Sequence, residues 1–144
     1  MKFGIIRERK NPPDKRVVLS PLACQKVLKS HKKAILIVEP SPIRAYSDDM
    51  YKQLGITVAD EMEDCDVLLG VKEVPIDALI PNKKYFFFSH TIKKQPYNRD
   101  LLQAVLDKNI ELYDHEVITN KQQQRVVAFG RYAGIVGAYN GFRA

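Results

Sequence analysis

The sequence predicts an α/β fold: a single domain in three layers, with a mostly parallel sheet between helices. Three observations predict it. Apolar, strand-like runs alternate with amphipathic, helix-like segments. Several runs, among them Ile-Leu-Ile-Val at 35–38 and Tyr-Phe-Phe-Phe at 85–88, are continuously apolar, as strands buried on both faces are. The chain has 144 residues, 45% of them apolar, which suffices for one core without staples.

Taken in order, residues 2–7 read as the first strand. Asn11-Pro12-Pro13-Asp14 is a loop, because two prolines fix φ and remove backbone donors. Ser20-Pro21 opens a helix, with serine as N-cap and proline at the first helical position. Leu22, Val27 and Leu28 give it an apolar face. Residues 34–39 form a second strand, stopped by Pro40 and Pro42. Ser47 caps a short helix that ends at Gly55, and residues 56–58 are a brief strand. Residues 66–72 and 84–90 are two further strands, separated by one helical turn within 75–81. A helix over 98–108 carries Leu101, Leu102, Val105 and Leu106 on one face. Residues 110–113 return to strand, 117–128 read as a hairpin, and 130–142 as a last helix.

That last helix places Gly130, Gly134, Gly137 and Gly141 on one face. Glycine inside a helix costs about 1 kcal/mol relative to alanine, so a face this small needs a reason. One reading is a tight helix–sheet contact. The other is a seam to a further domain.

Composition excludes several function classes. The net charge of +6 is spread along the chain, without a basic stripe or an aromatic stacking motif, so a nucleic-acid reading rests on charge alone. Cys24 and Cys65 lack metal-type spacing and read as reduced thiols, with a disulfide as the alternative. No metal cluster, nucleophilic serine or cysteine motif, or phosphate-binding glycine loop is present in the sequence. No signal peptide or membrane-length apolar run is visible, and a soluble, cytoplasmic protein is expected.

The chemistry concentrates at two strand ends. Lys72, followed by Glu73, closes one apolar strand, and His90 closes the next. Polar groups at the carboxyl ends of parallel strands sit where open α/β sheets bind ligands, and a lysine and a histidine there can divide acid and base work. The bland alternatives are a lysine that snorkels to water and a histidine bonded to backbone. His31, among lysines at a helix end, and His115, expected to face solvent, have weaker claims. Arg16, in the loop entering the first helix, can grip a carboxylate with two parallel hydrogen bonds, or form a surface salt bridge. Glu116 can tune its neighbours' proton affinity, and Arg125 is a second carboxylate partner or plain surface.

Four segments, Arg16-Val-Val-Leu-Ser-Pro21, Gly70-Val-Lys-Glu-Val-Pro75, Phe88-Ser-His-Thr-Ile-Lys-Lys-Gln95 and Val127-Ala-Phe-Gly-Arg-Tyr-Ala-Gly134, occur in a telling order. Together they resemble the N-terminal domain shared by alanine dehydrogenase, nicotinamide nucleotide transhydrogenase and lysine-forming saccharopine dehydrogenase. The last two segments are closer to the saccharopine branch, which includes lysine–ketoglutarate reductase. The resemblance runs the length of the chain. It implies a Rossmann-like sandwich, incomplete at its C-terminal end, with residues 1–144 as the substrate-side domain. It implies Lys72 and His90 as the acid/base pair and Arg16 as the binder of the substrate carboxylate. Glu73 and Glu116 match carboxylates that tune the pair. Lys93, Gln95, Arg125 and Phe129 match substrate-pocket positions. Gln124 departs from the branch, which has a basic residue there.

The resemblance also implies what this sequence lacks, a Rossmann domain that binds NAD or NADP. The expectation is a substrate-side domain of an NAD(P)-dependent amino-acid dehydrogenase, with a small carboxylate or amino-acid substrate. The chain alone is expected to be inactive and to bind no cofactor; residues for cofactor binding are unknown and a metal is not expected. A homo-oligomer is admitted, and neither nucleic acid nor membrane is an expected partner. The rival is a stand-alone small-anion binding module derived from the same domain.

Overall fold

The computed structural model describes residues 1–143. Six strands, β1 (Lys2–Ile5), β2 (Ile35–Val38), β3 (Thr57–Val58), β4 (Val67–Leu69), β5 (Lys84–Phe87) and β6 (Glu111–Asp114), form one sheet in the order β3-β2-β1-β4-β5-β6. Every neighbouring pair is parallel. Helices α1 (Pro21–Ser30), α2 (Asp48–Lys52), α3 (Arg99–Asp107) and α4 (Gly130–Arg143) complete the chain. The strand order reverses at β1, which makes the crevice beyond β1 and β4 the topological switch point.

Local chemistry sets the elements. Ser20 Oγ accepts the Ala23 amide at 3.3 Å, with Pro21 behind it, and so starts α1. Gly55 takes a left-handed φ of 73° after α2, which only glycine adopts without strain. On β1, a Cβ at Gly4 would stand 2.8 Å from both Leu68 and Met62, so the glycine makes room for Leu68 of the neighbouring strand and for Met62 of the turn before it.

Alternation along the strands divides the core. Ile5, Leu36 and Val38 pack with Cys24 of α1, Tyr51 of α2 and Ile56 on one face. Ile37, Leu68, Tyr85 and Phe87 pack with Leu101 and Val105 of α3 on the other. Over β5 and β6 the first face is bare. Phe86 stacks on Tyr113 there at 4.5 Å between centroids, and Tyr113 is 40% exposed. One face of the sheet is thus covered from β3 to β4 and bare over β5 and β6.

Four expectations need correction. The glycine helix makes no tight contact with the sheet: α4 buries none of its residues, and a Cβ at any of its four glycines would meet nothing within 4 Å. Leu102 and Leu106 are exposed, because α3 touches the core along the narrow stripe of Leu101, Ala104 and Val105. The hairpin shrinks to one antiparallel bridge, Thr119 with Arg125, closed by the Asn120 amide on Gln124 O at 2.9 Å. His115 is buried rather than solvent-facing. It lies against Phe86 and Phe88 with Nε2 3.1 Å from Gly70 O, because the chain leaving β6 folds back over the strand ends. Both cysteines are free and buried, and burial pushes the Cys24 thiol up to about 11.

Candidate active site

Lys72 and His90 occupy equivalent places. Each lies three residues past its strand, β4 ending at Leu69 and β5 at Phe87. Parallel hydrogen bonding outlasts the strands and stitches the tips together. Gly70 N donates to Phe86 O at 2.8 Å, Phe88 N to Val71 O at 3.0 Å, and His115 N to Phe87 O at 3.1 Å.

The Lys72 turn is held from β1's side. Glu8 accepts the Val71 amide at 2.7 Å and the Lys72 amide at 2.8 Å. Burial pushes the Glu8 carboxyl above its ordinary range, and the two amides oppose that shift. Lys72 itself is half-buried.

The His90 turn is held from β6. His90 has a left-handed φ of 57°. Asp114 Oδ2 accepts Ser89 Oγ at 2.6 Å and the His90 amide at 3.1 Å, while Asp114 Oδ1 accepts the Glu116 amide at 2.8 Å. The imidazole lies between two carboxylates, Nδ1 at 2.9 Å from Glu116 Oε2 and Nε2 at 4.0 Å from Glu73 Oε1. Lys93 Nζ stands 3.2 Å and Arg125 3.8 Å from Glu116 Oε1. Hydrogen bonding to His90 holds the Glu116 carboxyl below its ordinary range, against partial desolvation and with help from Lys93. An ionised Glu116 accepts Nδ1–H, which leaves Nε2 as the ring nitrogen with an unshared lone pair.

Arg16, Lys72, Phe88, His90, Arg125, Ala128, Phe129 and Gly130 line one cleft of about 280 Å³. Arg16 is pinned by Asp14, Nε at 2.9 Å and Nη2 at 2.5 Å from its carboxylate, and its guanidinium lies 5.5 Å from the Phe129 ring centroid. That pairing holds the Asp14 carboxyl below its ordinary range. The Arg16 side chain remains 45% exposed, with Nη1 free of Asp14.

Four sequence-predicted residues, Glu73, Lys93, Gln95 and Glu116, do not line this cleft. Glu73 is paired with Lys10 at 3.2 Å and lines a neighbouring groove of about 540 Å³ with Lys10 and Tyr97. Gln95 takes a hydrogen bond from the Tyr97 hydroxyl and lines a separate groove with Lys94, Pro96 and Leu102. Lys93 reaches the His90–Glu116 pair without lining the cleft. Gln124 is exposed and bonded to Asn120.

Sequence reading missed Glu8, Asp14 and Asp114. Asp14 was within reach, two residues from Arg16 in one loop. Glu8 and Asp114 gave no signal, because each accepts backbone amides from a segment distant in sequence.

Comparison with known proteins fits this arrangement. The family described as alanine dehydrogenase/PNT, N-terminal domain, matches residues 4–136. An alpha-aminoadipic semialdehyde synthase of Arabidopsis thaliana is 35% identical over 138 residues, which cover 93% of this chain and 13% of that protein. A saccharopine dehydrogenase (NAD(+), L-lysine-forming) of Yarrowia lipolytica is 29% identical over 138 residues, 92% of this chain and 37% of the relative. The chain thus spans a minor part of these relatives. Among solved structures, an L-alanine dehydrogenase superposes with a TM-score of 0.68 at 18% identity, covering 86% of this chain and 35% of that one, which is a likeness of fold. No helix among the described residues is long and apolar enough to cross a membrane. With a parallel sheet in this order and a match across nearly its whole length, the chain belongs to the alanine dehydrogenase/PNT N-terminal domain family.

Proposed function

We propose that this chain is the substrate-side domain of an NAD(P)-dependent dehydrogenase acting at an amino-acid C–N bond, of the saccharopine type. The observation that carries the reading is the convergence of Arg16, Lys72, His90, Arg125 and Phe129 on one cleft at the carboxyl edge of the sheet. The names of the two curated relatives supply the substrate class.

In this reading Arg16 grips a substrate carboxylate with the guanidinium edge that Asp14 leaves free, and Arg125 offers a second cation. Lys72 and His90 move protons while an imine forms or is hydrolysed. Glu116 fixes the imidazole tautomer, Lys93 balances Glu116, and Glu73 lowers the net positive charge. Phe129 walls the cleft. Gln95 would contact only a ligand long enough to leave it.

The residues present do not fit a dinucleotide. At the switch point the amides of Val71, Lys72 and Arg7 are taken by the carboxylates of Glu8 and Glu39, where a pyrophosphate would need free donors. NAD or NADP is therefore proposed for another domain of the full-length protein, and the exposed α4 for the route towards it.

The test uses the full-length protein, a panel of amines and 2-oxo acids, and nicotinamide absorbance. Turnover is expected with lysine as the amine and to fall about 10²–10⁴-fold in Lys72→Met and in His90→Asn. Turnover with alanine and pyruvate alone rejects the saccharopine reading. The three cations at the cleft favour one rival, a small-anion module. Dicarboxylate binding without turnover of any pair would select it.

A further inference from the structure

Asp114 is the last residue of β6, is 7% exposed, and is not itself part of the cleft lining. Its two carboxylate oxygens receive three donors: Ser89 Oγ, the His90 amide and the Glu116 amide. Two of those amides belong to the residues whose side chains meet at 2.9 Å.

Three physical points give this weight. A non-glycine residue at φ 57°, as His90 is, persists only where its surroundings over-determine it. A hydrogen bond to an ionised acceptor is stronger than a neutral one, and leaving a buried amide unpaired is costly. Moreover, a single carboxylate that accepts from both residues sets the distance between their backbones. Ser89 extends the clamp: its hydroxyl lies 2.9 Å from Thr91 Oγ1 and accepts the Thr91 amide at 3.2 Å, which fixes the residue beyond His90 as well.

We propose that Asp114 is the positioning residue of the His90–Glu116 pair: its buried carboxylate locks the two backbones in register so that Glu116 meets His90 Nδ1 and Nε2 is turned out for proton exchange. Asp114 does not touch substrate. The link to turnover rests on the function proposed above; the link to Glu116 does not.

The experiment follows the Glu116 carboxyl carbon by NMR through an acid titration of this chain. The titratable and charged groups facing that carboxylate are His90, Lys93 and Arg125. In the wild-type chain Glu116 is expected to titrate below the ordinary carboxylate range. Asp114→Asn replaces an acceptor oxygen with an N–H donor that opposes one of the amides. Its expected effects are a rise of the Glu116 midpoint towards the ordinary range and roughly tenfold faster hydrogen exchange at the His90 and Glu116 amides. A folded Asp114→Asn chain with both quantities unchanged overturns the proposal. If that variant does not fold, Ser89→Ala decides, since it removes one donor to the same carboxylate and leaves His90 and Glu116 intact. A smaller shift in the same direction supports the proposal, and no shift overturns it. In the full-length protein Asp114→Asn should lower kcat with little change in KM. A shifted Glu116 midpoint with turnover untouched in both Asp114→Asn and His90→Asn would remove the acid–base reading of His90 and leave the positioning role standing.

Discussion

The turn after β4 and the turn after β5 solve the same problem with opposite electrostatics. Each presents a proton-transfer candidate three residues past its strand, and each is tied down by a carboxylate from another strand's end. In the β4 turn the carboxylate is Glu8, which burial drives towards its neutral form. In the β5 turn the anionic partner is Glu116, which His90 and Lys93 drive towards its charged form. The difference teaches that one turn is held mainly by backbone amides, whereas the other is held by amides and by a side-chain charge pair. The second also carries backbone strain at His90, and the first does not.

Perturbing each turn separately tests the contrast. The largest effect is the loss of turnover proposed for Lys72→Met and His90→Asn. If only one variant loses activity, the two turns do not share the proton work. Next is Glu8→Ala, which leaves the Val71 and Lys72 amides without their acceptor. It should destabilise this chain by about 1–3 kcal/mol in urea denaturation, and Glu8→Gln by less, since an amide oxygen can keep one bond. A Glu8→Ala chain as stable as wild type would mean that the stitched strand tips alone hold the turn.

The pH dependence of stability should then have opposite signs for the two turns. Glu8 has a raised folded-state value, so its contribution is full below the unfolded value and is lost as pH rises through the folded one. Glu116 has a depressed folded-state value, so its contribution is present above the unfolded value and is lost as pH falls through the folded one. Urea midpoints across the acid range should show wild type losing ground to Glu8→Gln as pH rises, and to Glu116→Gln as pH falls. Parallel profiles would erase the distinction between the two turns. The smallest effect belongs to Leu106→Ala, a control outside both turns. Its side chain is 65% exposed, and the change should stay within about 0.5 kcal/mol.

Much of the fold was legible because its signals are local. Ser20-Pro21 marks a helix start by capping chemistry, and Tyr85 to Phe88 marks a buried parallel strand by continuous apolarity. Where reading failed, the deciding contact was distant. Leu102 and Leu106 have helical spacing with Leu101 and Val105, yet periodicity does not say how wide a stripe the sheet will cover. His115 follows a strand and looked solvent-bound, until the chain beyond β6 folded it under Phe88. The glycine face of α4 was visible in the spacing, but the expectation that the sheet covers it was not met.

For the candidate site, the sequence by itself determined which residue types stand at the strand ends, because β-strand length and apolarity are properties of consecutive residues. Lys72, His90, Arg16, Arg125 and Phe129 were all named from it, Phe129 by family resemblance alone. Only the tertiary structure decided that these five share one cleft, that Gln95 does not join them, and that Glu8 and Asp114 hold the turns. The reason is physical. A buried carboxylate is stable only where donors from separate segments arrive together, and that meeting is a property of the parallel sheet that aligns their ends.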